Sequence, residues 1–361
     1  MRVVAKRQMV FRQLVELCHQ SVDSYSLRVK ALALLGEAIP TDSAYFGTAD
    51  PATTIATSNV LVEYPTELCR PLLRNEFAEP DANKFNVLTH ARIPVAGLAK
   101  ATGGDLFQSR RYAELLRPIG LGDELRAAFR TRSNCWGMVC LHREDSASPY
   151  TSTEAAFLAR IAPHLAEALR RTAISKVAVS AQADDGPGVA LIAEDGSLTA
   201  ATPAATRWLA ELAAPDVPPV SPLPAAVLSV IARLHAVTEA NTPEGMTPRL
   251  TARTAAGRWL TLHASQLTPE TGGLGQTTVV IEPATPVHLA GTVVAAYGFT
   301  PRESDIAMRL LHGLTIPKIA DECRISQFTV RDHCKAIFDK AGVNSRGELA
   351  ASIYAATSAQ P

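Results

Sequence analysis

The segment from Thr300 to Ala355 constrains this chain most, because its punctuation lays out four helices separated by tight turns. Thr300-Pro301-Arg302-Glu303 supplies a hydroxyl N-cap, a proline at the first helical position and a glutamate three residues past the cap. That is a capping box, in which both side chains satisfy free N–H groups of the first turn. A second helix is predicted over about Pro317 to Cys323, with Ile316, Ile319 and Ala320 available to pack inward. Arg324-Ile325-Ser326 is a tight connection into a third helix, capped by Ser326. Two helices joined by a short turn form the unit whose second member enters the DNA major groove.

The third helix has two distinguishable faces. Val330, Cys334, Ile337 and Ala341 recur at helical spacing and make one apolar stripe. Arg331, Asp332 and Lys335 point away from it, near the helix start, where a docked helix meets base edges. Arginine pairs bidentately with guanine, lysine reaches guanine or phosphate, and aspartate accepts from the cytosine amino group. On an isolated helix the same charges would be a solvated face. Gly342 then breaks the helix, and Ser345-Arg346-Gly347-Glu348 reads as a second capping box opening a fourth helix with Leu349 and Ile353 on its apolar side.

Across these four helices the landmarks resemble the LuxR-type helix-turn-helix domain: Phe299-Thr300-Pro301-Arg302-Glu303, Leu310 to Leu314, Ile319-Ala320, Ile325-Ser326, Thr329-Val330 and His333. Lys340 to Val343 and Ser345-Arg346 complete the match. The resemblance implies a DNA-binding transcriptional regulator acting on double-stranded DNA as a homodimer, the fourth helix supporting dimerisation. It places Arg331, Asp332 and Lys335 toward the groove and Lys318, Ser326 and Thr329 near the phosphates, with Lys340 carried as a further DNA-binding candidate. Lys318 stands where that family usually has glutamate, and Phe328 is bulky for an exposed position. The unit's eight arginines and lysines face seven carboxylates, so charge alone gives one copy modest non-specific affinity.

The 361 residues suit two or three domains, and 47% apolar content with 19% charged residues at zero net charge describes a folded, soluble chain. Arg12 and Glu16 interrupt the apolar run that a signal peptide would need, and no apolar stretch is long enough to span a membrane. A cytoplasmic location follows as the expectation. The six cysteines form no C-x-x-C pair. Cys135 and Cys140, five apart in a strand-like run, are expected on opposite faces and so unable to share a metal.

Two breaks, Ala181 to Gly188 and Glu282 to Pro286, divide the rest into 1–180, 187–284 and a C-terminal part from 295 to 361. In the first part, Leu27 to Ala38 reads as a helix, Ser43 to Thr48 as a strand and Cys135 to His142 as a strong strand. Thr151-Ser152-Thr153-Glu154 caps a long helix whose Phe157, Leu158, Ile161, Leu165 and Leu169 form an apolar stripe. Trp136 to Arg143 followed by Pro163 to Arg170 resembles the end of a GAF-type sensory domain. In the second part, Gly188 to Thr199 reads as strand, acidic-glycine turn and strand, and Pro203 to Ala213 as a helix. Arg249 to Arg253, Trp259 to Ser265 and Thr277 to Ile281 are further strands, the last two joined by the loop Thr271 to Gly275. This part resembles a PAS-type domain, and Pro215 to Pro224 reads as an irregular excursion.

The resulting fold class is multidomain α+β, with GAF-like and PAS-like regions preceding an all-α four-helix unit. No catalytic set, metal-ligand spacing or cofactor motif emerges, so the chain is read as no enzyme, with no cofactor and no metal. Tyr45, Phe46, Phe85, Phe107, Tyr112 and Trp136 are candidates to line a ligand cavity, although core packing is the commoner role of such residues. A small-molecule effector of unspecified chemistry is therefore allowed. The rival reading is a ligand-binding or enzymatic sensor that uses its C-terminal helices only for protein interaction.

Overall fold

The computed structural model describes residues 2–132, 134–174, 186–213, 223–239, 248–267 and 275–357. The first region opens with α1 (Arg2–His19) and α2 (Ser24–Ala38), then β1 (Ser43–Ala49) and β2 (Ala56–Val62). Helices α3 (Cys69–Ala78) and α4 (Phe85–His90) follow, then β3 (Val95–Gly97), α5 (Leu98–Ala101), β4 (Leu121–Thr131), β5 (Asn134–Glu144) and α6 (Ser152–Ile174). The strands form one antiparallel sheet in the order β2-β1-β5-β4-β3. Sequence reading finds β1, β5, α2 and α6 but misses α1, β2, β3 and β4. The capping box at the head of α6 forms, since Glu154 accepts the Thr151 amide at 2.8 Å and Thr151 accepts that of Glu154 at 3.3 Å.

The two faces of this sheet differ. Leu125, Ala127 and Phe129 of β4 join Phe46, Val139 and Leu141 against α1, α2 and the apolar stripe of α6, a wholly buried core. The alternate residues Glu124 and Arg126 face the other side, toward α3 and α4. Cys135 and Cys140 correct the expectation from spacing: both lie on that second side, with Met138 and Phe85. The reason is a bulge. Phe129 pairs with Gly137 but Arg130 pairs with Cys135, leaving Trp136 unpaired and resetting the alternation.

The second region repeats the topology. Strands β6 (Gly188–Ile192) and β7 (Leu198–Ala201) precede α7 (Pro203–Leu212) and α8 (Ala225–Glu239), then β8 (Arg249–Arg253), β9 (Trp259–Gln266) and β10 (Thr277–Pro283). Their order, β7-β6-β10-β9-β8, is that of the first sheet shifted along the chain. Gly188 is required where β6 passes α7, because a Cβ there would lie 2.4 Å from the Ala205 nitrogen. One face of this sheet packs on α7 and α8, which bury Trp208, Val227, Val230 and Ile231. The opposite side of α8 lies over α3 and β2, so one helix belongs to both regions. Most of the expected break Ala181 to Gly188, the loop Thr271 to Gly275 and the excursion Pro215 to Pro224 lie outside the described residues.

After the second break comes a helix that the sequence reading does not contain, α9 (Pro286–Ala296). Thr285 and His288 cap it reciprocally. Leu289, Ala290, Val293 and Val294 enter the core of the C-terminal helices, whereas Ala295 and Ala296 enter the first region's core. The C-terminal unit then runs α10 (Pro301–Leu311), α11 (Ile316–Cys323), α12 (Gln327–Ala341) and α13 (Arg346–Thr357).

Candidate nucleic-acid interface

The helix-turn-helix is assembled by its caps. Thr300 accepts the Glu303 amide at 3.2 Å and Glu303 returns the bond to the Thr300 amide at 2.6 Å, which fixes the start of α10. The same glutamate receives the Lys340 ammonium at 2.7 and 2.5 Å from the far end of α12. Burial opposes the Glu303 charge, but Lys340 and the Thr300 amide outweigh it and hold the carboxyl below its ordinary range. Ile306, Ala307 and Leu310 of α10, Ile319 and Ala320 of α11, and Val330, Cys334 and Ile337 of α12 close a single core. Leu349 of α13 enters it, while the Ile353 side chain lies outside the described residues.

Between α11 and α12 the chain turns through Arg324, whose φ of 53° and ψ of 46° are left-handed. The Ile325 amide bonds back to the Ala320 carbonyl at 3.0 Å, and Ser326 then caps α12 by accepting the Thr329 amide at 3.0 Å. Gly342 ends the helix left-handed, and the Val343 amide reaches the Phe338 carbonyl, a Schellman turn. The second expected capping box forms only in half. Ser345 accepts the Glu348 amide, but the Glu348 carboxylate bonds the Asn344 amide instead of that of Ser345.

The candidate contact residues separate into three groups. Lys318, Arg331, Asp332 and Lys335 are exposed and have no ion-pair partner among the described residues. Ser326 and Thr329 share a hydroxyl contact of 2.8 Å at the helix start. Lys340 is bonded to Glu303. Other charges are likewise paired internally: Arg309 binds Asp305 and Glu322, and Arg302 donates to the Cys323 carbonyl at 2.6 Å. Near neutrality of the whole unit therefore hides an uneven distribution. Several carboxylates are used up behind α12, and the start of α12 keeps Arg331 and Lys335 free. Sequence reading could not see this, because pairing between α10, α11 and α12 depends on their crossing.

A second constellation, in the first region, was not found from sequence. Glu124, Cys140 and His142 converge on the second face of the first sheet with ligand atoms within 4.8 Å of one another. They do not suit a divalent ion. The Glu124 oxygens are held by Arg111 at 2.7 Å and Arg126 at 2.8 Å, so an added cation would meet two fixed guanidinium charges. Burial pushes the Cys140 thiol up to about 12, the protonated form that binds metal poorly. Burial also pushes His142 down to about 4. Arg111 further bonds Asn75 and the Ala82 carbonyl, and Arg126 bonds Glu76, so the network closes on itself. Of the aromatic residues expected near a cavity, Tyr45 and Phe85 line one on this face, while Phe46 and Trp136 belong to the opposite core and Phe107 is exposed. Trp136 instead borders a second cavity, of about 430 Å³, between the first sheet, α6 and β8. Among the described residues no helix is long and apolar enough to cross a membrane.

Comparison with known proteins agrees with the C-terminal geometry. Residues 298–353 match the luxR family of bacterial regulatory proteins. A probable HTH-type transcriptional regulator GfsR from Streptomyces halstedii is 34% identical over 89 residues, which are 24% of this chain and 37% of that relative. The chain thus spans little more than a third of that relative's length. A solved structure of a Vibrio cholera VqmA–ligand–DNA complex is 20% identical, covering 31% of this chain and 54% of that one, with a TM-score of 0.19.

Proposed function

We propose that this chain is a transcription regulator whose C-terminal helix-turn-helix reads the major groove of double-stranded DNA as a homodimer, under control of GAF-like and PAS-like upstream regions. The observation that carries the reading is α12 itself. Its apolar stripe is buried, its start is capped by Ser326, and Arg331, Asp332 and Lys335 stand on the outward face with no ion-pair partner among the described residues. The luxR-family match over residues 298–353 supports the same assignment. Arg331 and Lys335 meet base edges, Asp332 accepts from a cytosine amino group or a water, and Lys318, Ser326 and Thr329 contact phosphates. Lys340 acts by holding α12 to α10. The shared strand order of the two sheets supports reading both upstream regions as sensory folds of one type.

The test is selection of random duplex DNA by the full-length chain, followed by a salt titration on the enriched sequence. A two-fold-symmetric motif whose affinity falls steeply with salt supports a dimer that neutralises phosphates. Absence of any enriched motif would remove the sequence-reading role. A second reading, protein interaction through the same helices, rests on Phe328, which is 73% exposed beside the candidate contacts. Loss of DNA binding in F328A without loss of folding would exclude a purely protein-directed role for that side chain.

A further inference from the structure

Between the second face of the first sheet and α8 lies a cavity of about 320 Å³, at the small end of the range for ligand sites. Its body is apolar, built by Leu72, Leu73, Phe77, Phe85, Met138 and Leu228. Glu76 and Arg126 also line it, but they neutralise each other at 2.8 Å, and the other Glu76 oxygen accepts the Phe85 amide at 2.6 Å. These two groups are satisfied without a ligand.

Two groups contributed by α8 are not. Ser229 and Arg233 are one helical turn apart, share a face and both line the cavity. Ser229 is 1% exposed and its hydroxyl has no hydrogen-bond partner among the described residues. The Arg233 Nε is also buried with no partner among the described residues. Among the described residues no carboxylate pairs with this guanidinium, which lies 5.7 Å from the centre of the Phe77 ring. Burial with nothing to offset it pulls Arg233 below its ordinary value. Buried donors without acceptors oppose folding, so native proteins keep few of them, and two on one face of one cavity call for an acceptor.

We propose that this cavity binds a small organic monoanion with an apolar body, an aryl carboxylate, held by Arg233 and Ser229 with its ring against Phe77 and Phe85. The charge matches: once Glu76 and Arg126 cancel, Arg233 leaves the cavity one uncompensated positive charge. A phosphate would bring more charge and more acceptor oxygens than one guanidinium and one hydroxyl can meet. The walls come from both regions, so an occupant fixes α8 of the second against the sheet of the first. This deepens the sensory reading by naming a ligand class, and its test contains no DNA, so the two can fail separately.

The experiment uses the full-length chain with phenylacetate and its neutral isostere phenylacetamide, binding being followed by ligand-observed NMR and by thermal shift. The expected result is that the acid binds at least about tenfold more tightly than the amide, a gap of about 1.4 kcal/mol. In R233Q, with folding checked by circular dichroism, that preference disappears while the weak affinity for the amide stays. S229A, which removes only a hydroxyl, weakens the acid several-fold. Equal binding of acid and amide, no binding of the acid at millimolar concentration, or an undiminished preference in R233Q overturns the proposal. If R233Q does not fold, S229A decides: unchanged affinity for the acid overturns the proposal, and a several-fold loss supports it.

Discussion

Lys340 sets its ammonium 2.7 and 2.5 Å from the two carboxylate oxygens of Glu303, the residue that completes the capping box of α10. One carboxylate thus joins the first turn of α10 to the last turn of α12. Removing it should do two things at once. We expect E303A to cost about 2 kcal/mol, roughly 1 from the lost half of the capping box and the remainder from the lost ion pair. K340M should cost less than about 1 kcal/mol, because the cap survives and the pair is partly solvated. Chemical denaturation of each variant checks this, and equal losses would show that the cap contributes nothing.

The groove assignment predicts different kinds of loss. R331A should weaken binding to a selected site by about 1–3 kcal/mol and relax preference at one base position. K318A should weaken all sequences alike and lower the slope of log affinity against log salt by about 1. K340M should leave that slope unchanged, since its charge is already bonded to Glu303. Fluorescence anisotropy across a salt series reads all three. An R331A variant indistinguishable from wild type on its best site would mean that α12 does not read bases.

Arg324 is a non-glycine residue at φ 53° in the turn on which the unit depends. That conformation costs an L-residue about 1–2 kcal/mol, of which glycine regains part while losing some through its freer unfolded chain. R324G should therefore raise stability by up to about 1 kcal/mol, seen as a higher melting temperature. The exposed Arg324 side chain carries a positive charge beside the start of α12, so the same variant should also bind DNA less tightly. A fall in both quantities would show instead that the side chain packs.

Acid should weaken the first region through His142. Burial holds this imidazole down to about 4 against an ordinary 6.5, with Glu124 pulling the other way and losing. The folded state keeps it neutral while the unfolded chain takes up a proton, so the contribution is complete above about pH 6.5. It declines as pH falls from 6.5 toward 4, by on the order of 3 kcal/mol in all. H142F, which keeps an aromatic ring against Tyr64, should flatten stability across that window. A wild-type profile with no slope between pH 6.5 and 4.5 would refute the buried neutral form.

What the sequence reveals, and what it hides, follows from the range of each interaction. Caps are local, so Thr151 with Glu154, Thr300 with Glu303 and Ser326 with Thr329 are legible from spacing alone, as are the apolar stripes of α6 and α12. The half-formed box at Ser345 shows the limit: Asn344, one residue earlier, offers the same carboxylate a competing amide. Strand β2 is missed because the polar run Thr57-Ser58-Asn59 sits inside it, and β4 because charges interrupt it, yet Glu124 and Arg126 are buried by pairing across the fold with Arg111 and Glu76. The bulge that turns Cys135 and Cys140 to one side has no signature in a run of apolar residues. Ser229 and Arg233 look like the polar trim of an ordinary helix until a second surface is laid over them.

One consequence of α9 concerns where this chain can be divided. The match to the luxR family of regulatory proteins begins at residue 298. The side chains that complete the C-terminal core begin earlier, at Leu289, and Val293 and Val294 sit in it beside Phe299 and Ile306. A fragment cut at the edge of the family match would expose one side of its own interior to water. A fragment that keeps α9 would instead carry Ala295 and Ala296 out of the other core, where Arg170 bonds the Ala296 carbonyl. The border of the family match and the border drawn by packing are different borders, and α9 lies between them.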